Sequence, residues 1–344
     1  MPRLFAPRLL PFPAPLALAA LLAAGCGQDG RIRGTSTEGG ATTTEGAGGG
    51  GAGGGAGGAG GSGGEEPAKE PLPMRVLNWN VQNFLNNEYD DPAPEEELVS
   101  AAAYASHRAE IGAVIAAMSP DIAVLQEIEN VAVLEDLVKT ELGGAYPHIA
   151  SVNGNDIRGI DVGVISKIPI ASIVSHKDDA FTLKGTQGPE YRYSRDCLEI
   201  HLDYNGRKVV LLGVHFKAKD SDAQNAVKRL AEAQHTRAIA NALEAEDAGR
   251  AIAVLGDFND TPGSPPYLAV LGEGAALYKD APDHVPSGSR WTYDYQGKLE
   301  LIDHQMSNGR LAGMLDPASV VIRHGADVEA ASDHAPILAT YLVK

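Results

Sequence analysis

The sequence predicts an α/β protein in which two mixed β-sheets pack together with helices on the outside. Three observations lead there. First, short apolar and partly β-branched runs recur at 75–79, 121–125, 209–214 and 251–255, the pattern of strands buried on both faces. Second, helical periodicity lies early and late, with several strands between. Third, no break in composition and no internal repeat interrupts the chain after Met74, so these elements belong to one large core.

The elements follow in order. The run ending at Trp79 is a strand, and the polar stretch from Asn86 to Pro94 is a loop. A helix is expected from about Glu95 to Met118, with Leu98, Tyr104, Ile111, Val114, Ile115 and Met118 as its apolar positions and Ser119-Pro120 ending it. A second helix covers about Val131 to Leu142, with Asn130 placed to cap it. Strands are expected near 146–152, 161–166, 170–175 and 195–204. A long helix from about Asp222 to Glu246 precedes the strand at 251–255, and its His, Lys and Arg residues read as a polar face. The last strands fall near 291–295, 301–306, 319–323 and 336–343.

Each early strand runs into a polar cluster. These are Asn80-Val81-Gln82-Asn83, Gln126-Glu127, His215 and Gly256-Asp257-Phe258-Asn259-Asp260, joined later by Asp303 and by Ser332-Asp333-His334. Burying such groups without partners costs several kcal/mol, so a strand end has no structural use for them. Their repetition at strand ends points to a catalytic edge.

The first 26 residues read as a targeting segment: Arg3 and Arg8, an apolar run from Leu9 to Ala24 broken by prolines, then Leu22-Ala23-Ala24-Gly25-Cys26. This resembles a bacterial lipoprotein signal, which implies lipidation at Cys26 and attachment to a membrane through that lipid rather than a transmembrane span. Residues 27–73, Gly-rich from 34 to 64, read as a flexible tether. The expected location is the cell envelope, outside the cytoplasm. The only other cysteine, Cys197, leaves no intrachain disulfide framework once Cys26 is used. A net charge of −17 argues against a broad basic nucleic-acid-binding face, although bound divalent cations would invert the local charge. A Walker-type phosphate loop, Cys/His zinc spacing and a Gly-x-Ser-x-Gly elbow are all missing from the sequence.

From about Met74 onward the ordered motifs resemble the endonuclease/exonuclease/phosphatase superfamily, the metal-dependent phosphoesterases that include deoxyribonuclease I, exonuclease-III-type repair enzymes, inositol-polyphosphate phosphatases and neutral sphingomyelinases. Gly213-Val214-His215-Phe216-Lys217-Ala218-Lys219 is similar to a segment of predicted secreted bacterial nucleases. The resemblance implies a four-layer α/β/β/α sandwich over residues 74–344. It also implies a Mg²⁺, Mn²⁺ or Ca²⁺ cofactor held by hard oxygen ligands. Glu127, Asn80, Asp333 and Asp257 are the expected metal ligands.

Asp257 is placed to orient or deprotonate water, and Asn259 to hold a phosphoryl oxygen, if alternation on an extended segment points both the same way. The competing reading is an Asx turn. Asp303 and His334 read as a carboxylate–imidazole dyad. His215 resembles a second catalytic histidine, the acid for the leaving group, with Asp161 as the candidate partner. Gln82, Arg195 and Lys217 are expected at the substrate. Arg195 either forks onto a phosphate or pairs with Asp196 or Glu199, and Lys217 and Lys219 are either phosphate contacts or solvated loop charges. Asp260 reads as turn and His304 as structural. The expected function is an exported phosphodiesterase hydrolysing DNA or RNA. The alternative is a phosphomonoesterase or phospholipase-like hydrolase of inositol phosphates or sphingomyelin-type headgroups, and a binding module with a dead site is the third reading.

Overall fold

The computed structural model describes residues 69–89, 95 and 97–344. The signal expected over residues 1–26, its Cys26 and most of the tether at 27–73 lie outside the described residues. Among the described residues no helix is long and apolar enough to cross a membrane.

The first half of the chain forms β1 (Leu72–Phe84), α1 (Ala101–Met118), β2 (Ile122–Ile128), α2 (Val131–Thr140), β3 (His148–Ser151), β4 (Asp161–Ser166) and β5 (Ile170–Ser175). Then follow β6 (Phe181–Thr182), β7 (Glu190–Tyr191), β8 (Cys197–Tyr204), β9 (Arg207–His215), α3 (Ala223–Glu246), β10 (Ala251–Asp257) and α4 (Pro265–Leu271). The chain ends with β11 (Lys279–Asp280), β12 (Tyr293–Tyr295), β13 (Lys298–Glu300), β14 (Asp303–Ser307), α5 (Gly309–Ala312), β15 (Leu315–Ile322), α6 (Ala326–Ala331) and β16 (Ile337–Val343).

Two six-stranded mixed sheets result, in the orders β15-β16-β1-β2-β4-β3 and β11-β14-β10-β9-β8-β5. Val76, Val124 and Val164 of the first sheet meet Ile200, Leu211 and Leu255 of the second in the central core. The opposite face of the first sheet, with Leu77 and Leu125, is covered by Ile111 and Ile115 of α1, Leu134 of α2 and Val328 of α6. The outer face of the second, with Leu212 and Val254, is covered by Ala240 and Leu243 of α3 and Val270 of α4. The protein is therefore the α/β/β/α sandwich expected. Because both faces of every central strand are buried, those strands read as continuous apolar runs rather than alternating ones.

Boundaries differ where capping decides them. The first helix starts at Ala101 rather than Glu95, because Ser100 Oγ accepts from the Ala103 amide while the Glu95 amide donates to the Ile157 carbonyl instead. Asn130 caps α2 as expected, through the Val133 amide. The polar-face reading of α3 does not hold for Arg229 and Arg237, which are buried, and Glu232 beside them is buried too.

Candidate active site

Strand register lines up the polar clusters along one edge. In the second sheet Asp257, at the end of β10, is paired with His215 of β9 on one side and Asp303 of β14 on the other. In the first sheet Asn80 of β1 lies beside Gln126 of β2, and the ladder is bulged there, with register shifts at 80–84 and 126–128. Gln82, Asn83 and Glu127 accordingly adopt left-handed backbone, with φ of 55°, 49° and 63°. The bulges turn Glu127 out of the pleat toward the second sheet. Gly256 has φ 150°, and a Cβ there would stand 1.8 Å from the Val214 carbonyl oxygen, so only glycine brings β10 this close to β9.

These elements frame a cleft of about 660 Å³ lined by Glu127, His215, Asp257, Asn259, Asp333 and His334 among others. The Asn80 amide nitrogen donates to Glu127 Oε1 and Asp257 Oδ2, 3.1 Å each, while its oxygen accepts from the Gln82 amide at 3.0 Å. The Asn83 amide donates to Glu127 Oε2 at 2.9 Å. His215 Nε2 is 3.5 Å from Asp257 Oδ2 and 3.9 Å from Glu127 Oε1. His334 Nδ1 bonds Asp303 Oδ2 at 2.8 Å, and its Nε2 is 4.0 Å from Asp257 Oδ2 and from Asp333 Oδ1.

The electrostatics are opposed within a few ångströms. Burial, reinforced by Asp303, pushes Asp257 up to about 7. Burial also lowers His334, but Asp303, Asp257 and Asp333 outweigh it and hold the ring charged up to about 10. His215 is pushed well below its ordinary value by burial, then by Arg195, His334 and Arg158. Burial beside Arg195 and Arg158 therefore favours the neutral ring at His215, the residue expected as the leaving-group acid, while the carboxylates around His334 favour its charged form.

The Asp161 pairing expected for His215 is absent. Asp161 accepts from the Gly154 amide at 2.7 Å, and His215 Nδ1 is buried with no hydrogen-bond partner among the described residues. Asp257 and Asn259 both line the cleft, but through a turn rather than an extended segment. Asn259 has φ 53°, its amide donates to Asp257 Oδ1 at 2.7 Å, and its side chain donates to the Phe216 carbonyl. Arg195, 3 % exposed, pairs with Asp156 at 2.8 Å rather than with Asp196 or Glu199. Lys219 lines the cleft; Lys217 does not, and its backbone is tied to Glu232 and Arg229 instead. Gln82, expected at the substrate, lines the cleft. Asp260 pairs with the buried Arg229, and His304 bridges Asp280 and the Asp260 carbonyl, both structural.

Four further contributors escaped the sequence reading. Arg158 lines the cleft and shares Asp156 with Arg195, leaving two guanidinium groups on one carboxylate. Glu232 of α3, fully buried, accepts from the Ser194 and Lys217 amides at 2.7 and 2.6 Å, fixing the loops beside Arg195 and His215. Tyr293 and Tyr295 of β12 form the opposite wall. The burial of a glutamate on a predicted polar helix face carries no local signal.

The donor set fits a hard divalent cation. Glu127 and Asp257 converge from different sheets, and Asp303 Oδ1 is buried with no hydrogen-bond partner among the described residues. Ligand atoms of Asp257, Asp303 and His334 also lie within 4.8 Å of one another. That cluster counts His334 as a ligand only when its ring is neutral, so the Asp303–His334 dyad and a cation there are alternative states of the same groups.

The fold and site thus define an α/β/β/α sandwich with a buried carboxylate–histidine cleft at one edge. The sequence profile of the Endonuclease/Exonuclease/phosphatase family matches residues 76–317, and the chain belongs to that family. No curated protein matches the chain significantly by sequence. Solved structures share the fold. Truncated Caenorhabditis elegans TDP2 superposes with a TM-score of 0.53 at 16% identity, covering 79% of this chain and 98% of that one. The human Nocturnin catalytic domain with bound sulfate anion gives 0.55 at 14% identity, over 79% and 95%. D. rerio TDP2 complexed with single strand DNA product gives 0.52 at 16%, over 78% and 98%.

Proposed function

We propose that this protein is an exported, divalent-metal-dependent phosphodiesterase that hydrolyses DNA or RNA. The observation that carries the reading is the convergence of Glu127, Asp257 and Asn80 from two sheets beside a charged His334–Asp303 pair. A fold relative that holds a single strand DNA product is in keeping with it.

Glu127 and Asp257 would hold the cation, Mg²⁺ being the hard ion best matched to two carboxylates and water, with Asp333 at the rim. When bound, the metal neutralises the phosphoryl oxygens and polarises the scissile bond. Asp257, beside the metal-held water, would orient it and take its proton. Asp303 orients His334, whose Nε2 proton goes to the leaving oxygen. Neutral His215 donates a hydrogen bond from Nε2, and Arg195 and Arg158 offer guanidinium donors to a phosphate. Asn259, held by the Phe216 carbonyl, completes the anion-facing edge. The export signal and lipid anchor at Cys26 would place this activity in the cell envelope, suited to nucleic-acid scavenging.

The test offers supercoiled DNA, structured RNA, inositol phosphates and sphingomyelin to the protein with Mg²⁺, Mn²⁺ or Ca²⁺. Nucleic-acid cleavage that vanishes with EDTA and in Glu127→Ala is the expected result. Release of phosphate or phosphocholine with inert nucleic acid would overturn it.

A further inference from the structure

The hairpin β12–β13 forms a two-stranded sheet of its own, outside the two large sheets. Its two-residue loop, Gln296-Gly297, has φ of 53° and 85°, as a tight primed turn requires. Tyr295 and Leu299 are 54 % and 51 % exposed. Cavities lie on both sides: the active-site cleft against Tyr293, Tyr295 and Lys298, and a second against Asp294, Gln296 and Gly297. Strand alternation puts both tyrosines on the cleft side.

The base of this wall is locked to the catalytic pair. Tyr293 forms an antiparallel bridge with His334, and the Ala335 amide donates to the Thr292 carbonyl at 2.7 Å. Thr292 Oγ1 accepts from the Ile302 and Asp303 amides, 3.1 Å each. The rings then continue outward. The His334 and Tyr293 centroids are 4.9 Å apart at 39°, and Tyr293 and Tyr295 are 6.3 Å apart at 21°. The outermost member presents an exposed face to the cleft, and Lys298 stands beside it.

We propose that Tyr293 and Tyr295 are a stacking platform that seats an unpaired nucleobase flanking the scissile phosphate, on the side of the bond nearest His334. The substrate class that follows is single-stranded or locally unpaired nucleic acid, since a base inside a duplex offers no free face to the platform. Every base has a π-face, so the platform selects for an unpaired base without reading its identity. The polar tip, Gln296-Gly297, and the charged Asp294, Lys298 and Glu300 disfavour the other use of an exposed hairpin, entry into a lipid surface. The rigid base matters because a stacked base registers the neighbouring phosphate against His334 and Asp257 only if the platform cannot swing.

The inference rests on the phosphodiesterase reading, so binding and cleavage are measured separately. A single-stranded oligonucleotide carrying 2-aminopurine is titrated in EDTA and low salt against the wild-type protein, Tyr295→Ala and Tyr295→Phe, with anisotropy followed in parallel. The expected result is saturable quenching by wild type and Tyr295→Phe and an affinity about tenfold weaker for Tyr295→Ala. With metal restored, the preference for a base-bearing strand over one with an abasic residue beside the cleavage site falls by a similar factor in Tyr295→Ala. Binding without quenching, no binding, or equal quenching by Tyr295→Ala overturns the proposal. So does loss of sedimentation with sphingomyelin–phosphatidylcholine vesicles in Tyr295→Ala when no quenching is seen with wild type. The Glu127→Ala cleavage control tests the parent reading independently, because the quenching measurement requires no turnover.

Discussion

Two clusters of histidines and carboxylates sit on the second sheet, and they differ in how completely their polar atoms are partnered. On its outer face His176 bonds Asp179 at 2.9 Å and Glu199 at 3.0 Å, His201 bonds the other oxygen of Glu199, and His235 reaches Asp179 at 3.0 Å. Each of these acids is matched by imidazoles, and the shifts all favour charge. After the opposing cost of burial, His176 and His201 hold Glu199 down at about 2, while Glu199 and Asp179 raise His176. At the strand edge the groups are mismatched. Asp257 faces Asp303, His215 lacks a partner for Nδ1, and Asp303 Oδ1 has none among the described residues. The same residue types, saturated, tie β5 and β8 to α3; left unsaturated, they make a site that takes up protons, a cation or a substrate.

The largest expected effect separates the two directly. Asp257→Asn should lower kcat about a thousandfold, while thermal denaturation shows stability unchanged or raised because the repulsion with Asp303 is gone. A parallel loss of stability would mean that the edge is structural after all.

Asp303→Asn sharpens the comparison through pH. In the wild type His334 keeps its proton until pH rises through about 10, so the acid limb of catalysis should persist to that point. Without the Asp303 charge the ring loses its proton at lower pH, and a pH–rate profile should show the alkaline fall moved toward neutrality. Activity at pH 9 should drop about a hundredfold.

The outer cluster should behave in the opposite way. Glu199→Gln should keep activity and cost up to about 3 kcal/mol in urea denaturation. The sign follows from the depressed folded value. Its stabilisation is complete above about 4.5 and is lost as pH falls toward about 2. Acid unfolding of Glu199→Gln should accordingly be flatter over that window. His176, raised rather than lowered, contributes on the other side: its part is present below its unfolded value and lost as pH climbs through the folded one. Smallest of all, His235→Ala removes a half-exposed pair and should cost about 1 kcal/mol or less.

Much of the site was legible before any contact was known. Glu127, His215, Asp257, Asp303 and His334 each follow or punctuate a recognisable apolar run, so their misfit with a buried strand marked them. Roles were less legible than positions. The sequence places His215 at the edge, but its burial beside Arg195 and Arg158, which favours the neutral ring, is visible only in three dimensions. Asp161 reads as its partner, yet no hydrogen bond joins the two: Asp161 Oδ1 takes the Gly154 amide, while its Oδ2 and His215 Nδ1 stay without partners among the described residues. Arg158 and the two tyrosines sit in loops or a short hairpin whose spacing carries no period. Glu232 looks like one more charge on a polar helix face until the loops it caps fold over it.

The sequence by itself determined the layer architecture and the edge at which chemistry collects, because strand periodicity and the cost of burying unpaired polar groups act locally along the chain. Only the tertiary structure decided which groups face each other across the two sheets. Protonation state, partner choice and the shape of the cleft depend on burial and on charges distant in sequence. For Asn80 those partners are Glu127 and Asp257, one on each sheet, and neighbours along the chain carry no information about either.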